Sequence, residues 1–284
     1  DFMKEIDLVN HLRMRAGYDV TGNDDIASYQ SKAYFTAVRF KGVANGIILN
    51  NLSNPSIRWE TTSRAYAGIE AGLLNDRIRF NVDVYKGTTR DLLVEKNVPE
   101  VAGLAWYLAN EGTLSNSGFE VGIDLRLLNL KSVQWEVNLS AGRYINRIES
   151  LPGGEFITNI PGGEILTREG HAAGVFYGYK ALGVFSNESE AQQANLKVMN
   201  SAGNPVAFGA GDMHFEDISG PAGTPDGYID SYDRQIIGDP NPDFYGSLHT
   251  KLTLGRISLS ALFSGSYGNE LFNYPRNLLE SGKD

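Results

Sequence analysis

Apolar and polar residues alternate through three pairs of adjacent segments, and a tight turn joins the two segments of each pair. In the clearest segment, residues 119–127, the odd-numbered positions are apolar and the even-numbered ones are glutamate, glycine, aspartate and arginine. Residues 133–142 alternate in the same way after a short turn. Because successive side chains of a strand point to opposite faces, the pattern predicts hairpins with one apolar and one polar face.

The other two hairpins are predicted at residues 65–84, around a turn at 74–76, and at residues 248–263, around a turn at 255–256. Further predicted elements are a short strand at 12–18 that runs into a turn at 21–24, a weaker strand at 29–40, and one helix at 188–198. The connections between hairpins are long, polar and rich in Gly, Asn and Pro, and they span residues 86–117, 146–175 and 186–243.

This organisation predicts an all-β fold, an antiparallel up-and-down transmembrane β-barrel segment with short turns on one rim and long loops on the other. Strands of about nine to eleven residues suffice to cross a bilayer when they are tilted. Aromatic residues near strand ends are predicted to form interfacial girdles. These residues are Trp59, Tyr85, Trp106, Tyr144, Tyr177, Phe244, Tyr245 and Tyr267.

Composition narrows the range of functions. The 284 residues carry a net charge of −9 without any Lys/Arg cluster, so nucleic acid is not an expected partner. The absence of cysteine excludes disulfides, thiolate metal sites and cysteine nucleophiles. The sequence contains no apolar run of eighteen residues and therefore no transmembrane helix. Both ends look cut, which suggests an internal fragment of a longer protein.

An acidic loop provides the sharpest local motif. Its second half has the relative spacing of the later ligands of a calcium loop, with a glycine for the sharp turn. The first half is displaced by the insert at residues 221–225, and the usual final glutamate is missing. The predicted metal ligands are Asp217, Ser219, Asp226, Tyr228, Asp230 and Asp233, with calcium as the suggested cofactor; the alternative is a surface turn rich in Asp and Gly.

Catalytic motifs are missing from the sequence. The four histidines are scattered, and no HExxH, GxSxG, P-loop or GxGxxG pattern is present. A glycosidase pair cannot be judged by counting carboxylates, but the acids mostly alternate along strands, as residues on a solvated face do. The sequence therefore predicts no enzyme.

Several motifs in order resemble the SusC/RagA family of TonB-dependent outer-membrane transporters. LRMRAGYDVTGN at residues 12–23 is similar to the family's LRASYGxTGN, and NPSIRWETT at 54–62 to NPxLKWExT. Residues 75–93 resemble NRI…DxYxxxTxDLL, and residues 110–120 resemble NxGxxxNxGxE. DGYIDSYDRQIIG at 226–238 and GDPNPDF at 238–244 resemble DGxIDxxDRxxIG and GDPxPxF.

The resemblance implies an outer-membrane location and TonB-dependent import of oligosaccharides or peptides. It implies a SusD-like surface lipoprotein, TonB and outer-membrane lipid as partners, with TonB acting through an N-terminal region missing here. Residues 1–284 would then be part of the transporter's β-barrel domain, without the plug domain and the final strands.

Two alternatives remain open from the residues. The first is a soluble extracellular β-sandwich that binds carbohydrate, which would have shorter strands and an apolar face buried against a second sheet. The second is a surface hydrolase, which the missing nucleophile–base pair disfavours. For the transporter, stacking of substrate on Trp106 or Tyr107 is one hypothesis, and burial of these residues in the wall is the other.

Overall fold

A computed structural model describes residues 8–42, 44–99, 101, 103–104 and 106–280. The chain divides into two compact units. The first comprises Asp1–Glu155, Arg168–Ala173 and Asn241–Asn269, and the second comprises Phe156–Thr167, Gly174–Pro240 and Glu270–Asp284. Strands dominate, which confirms the all-β prediction. The assignment of residues 1–284 to a single barrel domain stays a prediction.

The strands in chain order are β1 (Val9–Asn23), β2 (Tyr34–Phe40), β3 (Ala44–Asn51), β4 (Glu60–Leu73), β5 (Ile78–Arg90), β6 (Leu93–Asn97), β7 (Trp106–Asn110), β8 (Thr113–Asn129), β9 (Val133–Ser150), β10 (Phe156–Ile160), β11 (Gly163–Thr167), β12 (Val175–Gly178), β13 (Ala181–Val184), β14 (Lys197–Met199), β15 (Pro205–Ala207), β16 (Met213–Phe215), β17 (Gln235–Gly238), β18 (Phe244–Leu254) and β19 (Ile257–Tyr267). The α-helices are α1 (Glu188–Ala194) and α2 (Tyr274–Glu280), and a 3-10 turn covers Ser231–Asp233. No helix in the described part of the chain combines the length and the apolar character needed to cross a membrane.

The main feature of the first unit is a seven-stranded antiparallel sheet in the order β1-β4-β5-β8-β9-β18-β19. It contains all three predicted hairpins, β4–β5, β8–β9 and β18–β19. The first of these turns fits its sequence, because Leu74, Asn75 and Asp76 all have positive φ, a region that Asn and Asp tolerate better than most residues. The strands have 11 to 18 residues and are longer than the sequence pattern indicated.

The two ends of the sheet differ. All three hairpin turns lie at one end, where the amide of Leu74 also bonds the carbonyl of Leu8 beside the start of β1. The chain leaves the sheet at the other end between β1 and β4, between β5 and β8, and between β9 and β18. The predicted asymmetry of short turns and long connections is therefore confirmed.

The connections contain more structure than the sequence suggested. β2 pairs with β3 and β6 pairs with β7, so two of them carry hairpins of their own. The predicted turn at 21–24 is wrong in part, because β1 continues to Asn23. The predicted strand at 29–40 begins only at Tyr34. The predicted helix at 188–198 ends at Ala194, because Asn195 takes the left-handed conformation and its amide bonds back to the carbonyl of Ala191.

The second unit has its own sheet and its own core. The sheet has the order β10-β11-β12-β17. Around α1, the buried side chains of Phe185, Ala191, Leu196 and Ile229 form a cluster against which Phe208 and Phe215 also pack. The third long connection therefore includes a folded unit and is not a structureless loop.

Candidate functional site

One face of the seven-stranded sheet is predominantly apolar, and we call it the apolar face. The register aligns its side chains in rows across the strands, one of which contains Met14, Ile69, Val82, Val121 and Ala141. On this face Met14, Leu259 and Phe263 are 77%, 71% and 63% exposed. A β-sandwich would bury such side chains against a second sheet. The sandwich alternative is therefore wrong, and the exposed face matches the lipid-facing side of a barrel wall.

The opposite face, which we call the polar face, carries a network of hydrogen bonds between strands. The side-chain amide of Asn138 donates to Asp124 Oδ1 at 2.6 Å, and its oxygen lies 3.0 Å from His249 Nδ1. Nearby, the hydroxyls of Ser140 and Ser247 are 2.7 Å apart. These side chains come from β8, β9 and β18, so only the register of the sheet brings them together.

Further along the polar face, charged groups form pairs across strands. Arg15 Nε donates to Asp83 Oδ1 at 2.9 Å. Arg64 Nη2 lies 3.0 Å from Asp19 Oδ2. Because these side chains are partly exposed, each pair adds little to stability, but together they present fixed donors and acceptors to whatever faces them. Such a surface suits a polar solute that passes along it.

Three tyrosine rings on the polar face lie over glycines of the neighbouring strand. A Cβ added to Gly17 would lie 2.5 Å from Tyr66 Cζ. Gly118 stands in the same relation to Tyr85, and Gly142 to Tyr245. Such pairs cover the backbone that glycine leaves bare. The sequence missed them because the partner of each glycine depends on strand register.

The structure corrects the prediction of interfacial girdles, because three of the eight aromatic residues lie on the polar face of the sheet. Tyr85, Tyr144 and Tyr245 belong to the polar face, since the ring of Tyr144 packs 6.2 Å from that of Tyr245 and the register sets Tyr144 opposite Gly118. Trp106 lies on β7 and Tyr177 on β12, outside the seven-stranded sheet. Residues at girdle positions on the apolar face or its edge are Trp59, Phe244 and Tyr267, and the sequence analysis missed Tyr18.

The acidic loop is folded by its own carboxylates. Asp233 is completely buried. Its Oδ1 accepts hydrogen bonds from the backbone amides of Ile218 and Ser219 at 2.9 and 3.2 Å, and its Oδ2 accepts one from the backbone amide of Asp230 at 2.9 Å. A buried carboxylate needs such donors, because an unpaired buried charge is costly. The sequence motif thus fixes the path of the loop around Asp233.

The other predicted ligands are distributed around the same loop. Three of them accept a hydrogen bond from a backbone amide of the loop at 2.8 to 3.0 Å. The donor is the amide of Gly227 for Asp217 Oδ2, the amide of Tyr228 for Asp226 Oδ1, and the amide of Tyr232 for Asp230 Oδ1. The hydroxyl of Ser219 makes only a long contact of 3.5 Å with a carbonyl. Among the described residues, no group of three or more acidic or histidine side chains is arranged to hold a metal ion. Calcium binding at this loop stays a prediction.

The second unit contains a cavity of about 630 Å³ that the sequence analysis missed. Arg234 from the acidic motif forms an ion pair with Glu164 there, and its guanidinium lies 4.6 Å from the centroid of the Tyr177 ring. Phe176 and Phe272 complete an aromatic lining. Tyr179 also lines it, and burial raises the pKa of its phenol, with the carboxylates of Asp230 and Asp233 adding to the effect. The cavity offers aromatic surface and one paired cation to a small ligand.

The two residues suggested for stacking lie on β7. Trp106 is 41% exposed, and Tyr107 is half-buried in the β6–β7 hairpin. A role of either residue in substrate binding stays a prediction.

Comparison with known proteins points to one family. The sequence model of the TonB dependent receptor-like β-barrel family matches residues 7–234. TonB-dependent receptor P3 of Formosa agariphila is 31% identical over 292 residues, which cover 99% of this chain and 28% of that protein. TonB-dependent receptor SusC of Bacteroides thetaiotaomicron is 24% identical, over 96% of this chain and 26% of SusC. The chain thus spans between a quarter and a third of the length of these relatives.

Solved structures share the fold. The structure of the RagAB peptide transporter superimposes with a TM-score of 0.71 at 21% sequence identity, and the match covers 94% of this chain and 28% of that chain. The RagAB peptide importer in its "open-open" state gives the same TM-score at 20% identity.

Proposed function

The chain belongs to the TonB-dependent receptor-like β-barrel family of the outer membrane, and from this premise we propose that it forms part of the wall of an importer. The observation that carries the proposal is the two-faced sheet, with exposed apolar side chains on one side and paired polar groups on the other. A barrel wall needs this combination, because lipid touches one face and the aqueous lumen the other.

The proposed activity is TonB-dependent import of oligosaccharides or peptides together with a SusD-like surface lipoprotein. Its support is the motif resemblance to SusC and RagA, the similarity to TonB-dependent receptor SusC, and the fold shared with the RagAB peptide transporter. The sheet contributes binding and passage, since its polar face presents hydroxyls, amides and carboxylates that can exchange hydrogen bonds with a hydrated solute.

Uptake by whole cells tests this proposal. Bacteria that produce the full-length protein are given labelled oligosaccharide and labelled peptide pools separately, with TonB present or deleted. Accumulation of one pool that disappears without TonB is the expected result, and it also identifies the substrate class. Equal accumulation with and without TonB would contradict energised import.

The lipoprotein partner needs a second measurement. Affinity purification of the full-length protein from its own outer membrane should recover a SusD-like lipoprotein in a fixed ratio to the barrel. If the barrel is recovered alone under conditions that preserve its fold, the proposed SusD-like partner is wrong.

A further inference from the structure

Four cations stand on the apolar face just beyond its apolar band, at the end with the long connections. They are Lys86, Arg90, Arg143 and Arg147, and we call them the basic patch. On β5, Lys86 and Arg90 continue the face that carries Ile78, Phe80, Val82 and Val84, and on β9 the two arginines continue the face of Leu139 and Ala141. All four cations are therefore on the side that meets the membrane.

The register brings three of these cations close together. Lys86 lies opposite Ser117 of β8, and Ser117 lies opposite Ile145 of β9. Arg143 and Arg147 flank Ile145 at two residues on either side. With strands about 4.8 Å apart and about 3.4 Å per residue, the Cα of Lys86 lies roughly 12 Å from each arginine Cα. The side chains are long enough to converge on one ligand between them.

The charges of the basic patch are not neutralised within the described residues. All four side chains belong to exposed residues, and none forms an ion pair there. Three cations on the polar face, Arg15, Arg64 and Arg79, are by contrast each paired with an aspartate. The nearest acid on the same face of β9, Glu149, accepts a hydrogen bond from Ser115.

Hydroxyl groups fill the space between the cations. Thr88, Ser115 and Ser117 share the face of the basic patch. Thr88 lies opposite Ser115, whose hydroxyl donates to Glu149, and Ser117 lies between Lys86 and Ile145. Lysine and arginine together with hydroxyl donors are the groups that bind phosphate oxygens. The chemistry of this surface is therefore suited to a phosphate.

Aromatic residues give the depth of the basic patch. Tyr18 is in the same row as Lys86, through Ala65. Next to Arg143 along the sheet, Phe244 and Tyr267 stack with ring centroids 5.1 Å apart. Exposed aromatic residues at the edge of an apolar band are typical of the membrane–water interface. Lipid headgroups occupy this depth.

We propose that the basic patch binds the phosphate groups of an anionic lipid in the outer leaflet of the outer membrane. This inference depends on the lipid-facing assignment of the apolar face and deepens the proposed function by naming a membrane partner. Basic side chains next to a bilayer attract anionic headgroups, and the aliphatic parts of Lys86 and Arg143 extend from the apolar band towards them.

The test uses the full-length protein in phosphatidylcholine nanodiscs that contain a small fraction of lipid A, and counts retained lipid A by native mass spectrometry. The variant carries Lys86→Gln, Arg90→Gln, Arg143→Gln and Arg147→Gln. The control carries Arg13→Gln and Lys251→Gln, which remove two exposed cations from the polar face. We expect retention to fall about threefold or more in the variant and to stay unchanged in the control.

Two further measurements in the same nanodiscs test whether the phosphate groups of lipid A are what the basic patch binds. Dephosphorylated lipid A should not be retained above the level of the variant, and inorganic phosphate should not displace lipid A from the bilayer-embedded protein. Equal retention by variant and wild type would overturn the proposal, as would displacement by free phosphate. A variant that keeps lipid A but loses a protein partner would identify the surface as a protein interface and overturn it too.

The uptake assay separates this inference from the proposed function. If the variant imports substrate normally but retains less lipid A, the lipid site stands apart from transport. If import fails in the wild type while lipid A retention follows the expected pattern, the proposed function is wrong and the lipid site remains.

Discussion

Tyr245 on β18 donates a hydrogen bond of 2.9 Å to Glu120 Oε1 on β8, although β9 lies between these two strands. The ring reaches across β9 over Gly142, where an added Cβ would lie 2.6 Å from Tyr245 Cζ. Any larger residue at position 142 would occupy the space of the ring. One glycine thus permits a link between two strands that are not neighbours.

Replacing this glycine tests the arrangement. Gly142→Val should destabilise the full-length protein by about 1–3 kcal/mol, because the new side chain displaces the Tyr245 ring. Tyr245→Phe should cost only about 1 kcal/mol, since it removes the hydrogen bond and keeps the ring. Urea unfolding in lipid vesicles measures both.

A matched control is available at Gly265 on β19, where nothing lies within 4 Å of an added Cβ. Gly265→Ala should leave stability within about 0.5 kcal/mol of the wild type. A Gly142 variant as stable as the Gly265 variant would contradict the packing described for Tyr245.

The two faces of the sheet can be distinguished by spin labels on single introduced cysteines, since residues 1–284 contain no cysteine of their own and any outside them can be replaced first. A label at Phe263→Cys on the apolar face should collide strongly with dissolved oxygen, which concentrates in lipid. A label at its neighbour Ser264→Cys on the polar face should not. Continuous-wave power saturation in vesicles measures the collision rates, and equal oxygen accessibility at the two positions would contradict a lipid-facing apolar face.

Asp76 in the β4–β5 turn should make the stability of this turn depend on pH. Hydrogen bonds from Arg79 and Asn10 lower its pKa from 3.8 to about 2. A carboxyl whose pKa is depressed by folding stabilises the fold above its unfolded pKa, and this contribution is lost as the pH falls from about 4 to about 2.

Asp76→Asn should remove this part of the pH dependence, because asparagine keeps the left-handed conformation but has no titrating charge. Unfolding of wild type and variant at pH 5 and at pH 2.5 measures the difference. The gap between the two proteins should be larger at pH 5; a gap that widens at pH 2.5 would show that Asp76 is not stabilised as a carboxylate.

Asp233 should be structurally essential for the acidic loop. Asp233→Ala leaves the amides of Ile218, Ser219 and Asp230 without their acceptor, and we expect a loss of about 1–3 kcal/mol in local stability. Hydrogen exchange at these three amides should accelerate accordingly. Asp226→Asn is the control, because that carboxylate accepts from Tyr228 alone among the described amides. If hydrogen exchange at these three amides is unchanged in the alanine variant, Asp233 does not stabilise the acidic loop.

The calcium prediction can be tested at the same amides. If Asp217, Asp226 and Asp230 hold calcium, adding the ion to the chelator-treated full-length protein should slow exchange in residues 217–233, and magnesium should do so less. Asp217→Asn combined with Asp226→Asn should abolish the protection. Identical exchange with and without calcium would leave the loop as a turn held by its own carboxylates.

Much of the wall was predictable from sequence, because its physical cause is local. Side chains of a strand alternate between faces whatever the strand pairs with, so residues 119–127 and 133–142 indicated both the hairpin and its two faces. Asn75 and Asp76 likewise favour a turn, because both residue types tolerate the positive φ that they adopt there. The acidic motif was recognisable for the same reason, since its spacing lies within one short segment.

What the sequence could not provide depends on register between distant strands. Tyr245 meets Glu120 and Gly142 only because β18 pairs with β9 at one alignment, and a shift of one residue would move every side chain to the other face. The β5–β8 and β8–β9 alignments in the same way gather Lys86, Arg143 and Arg147 into one patch. Alternation along a strand is therefore fixed by the sequence alone, whereas neighbours across strands are decided by the tertiary structure, because no local interaction determines the register.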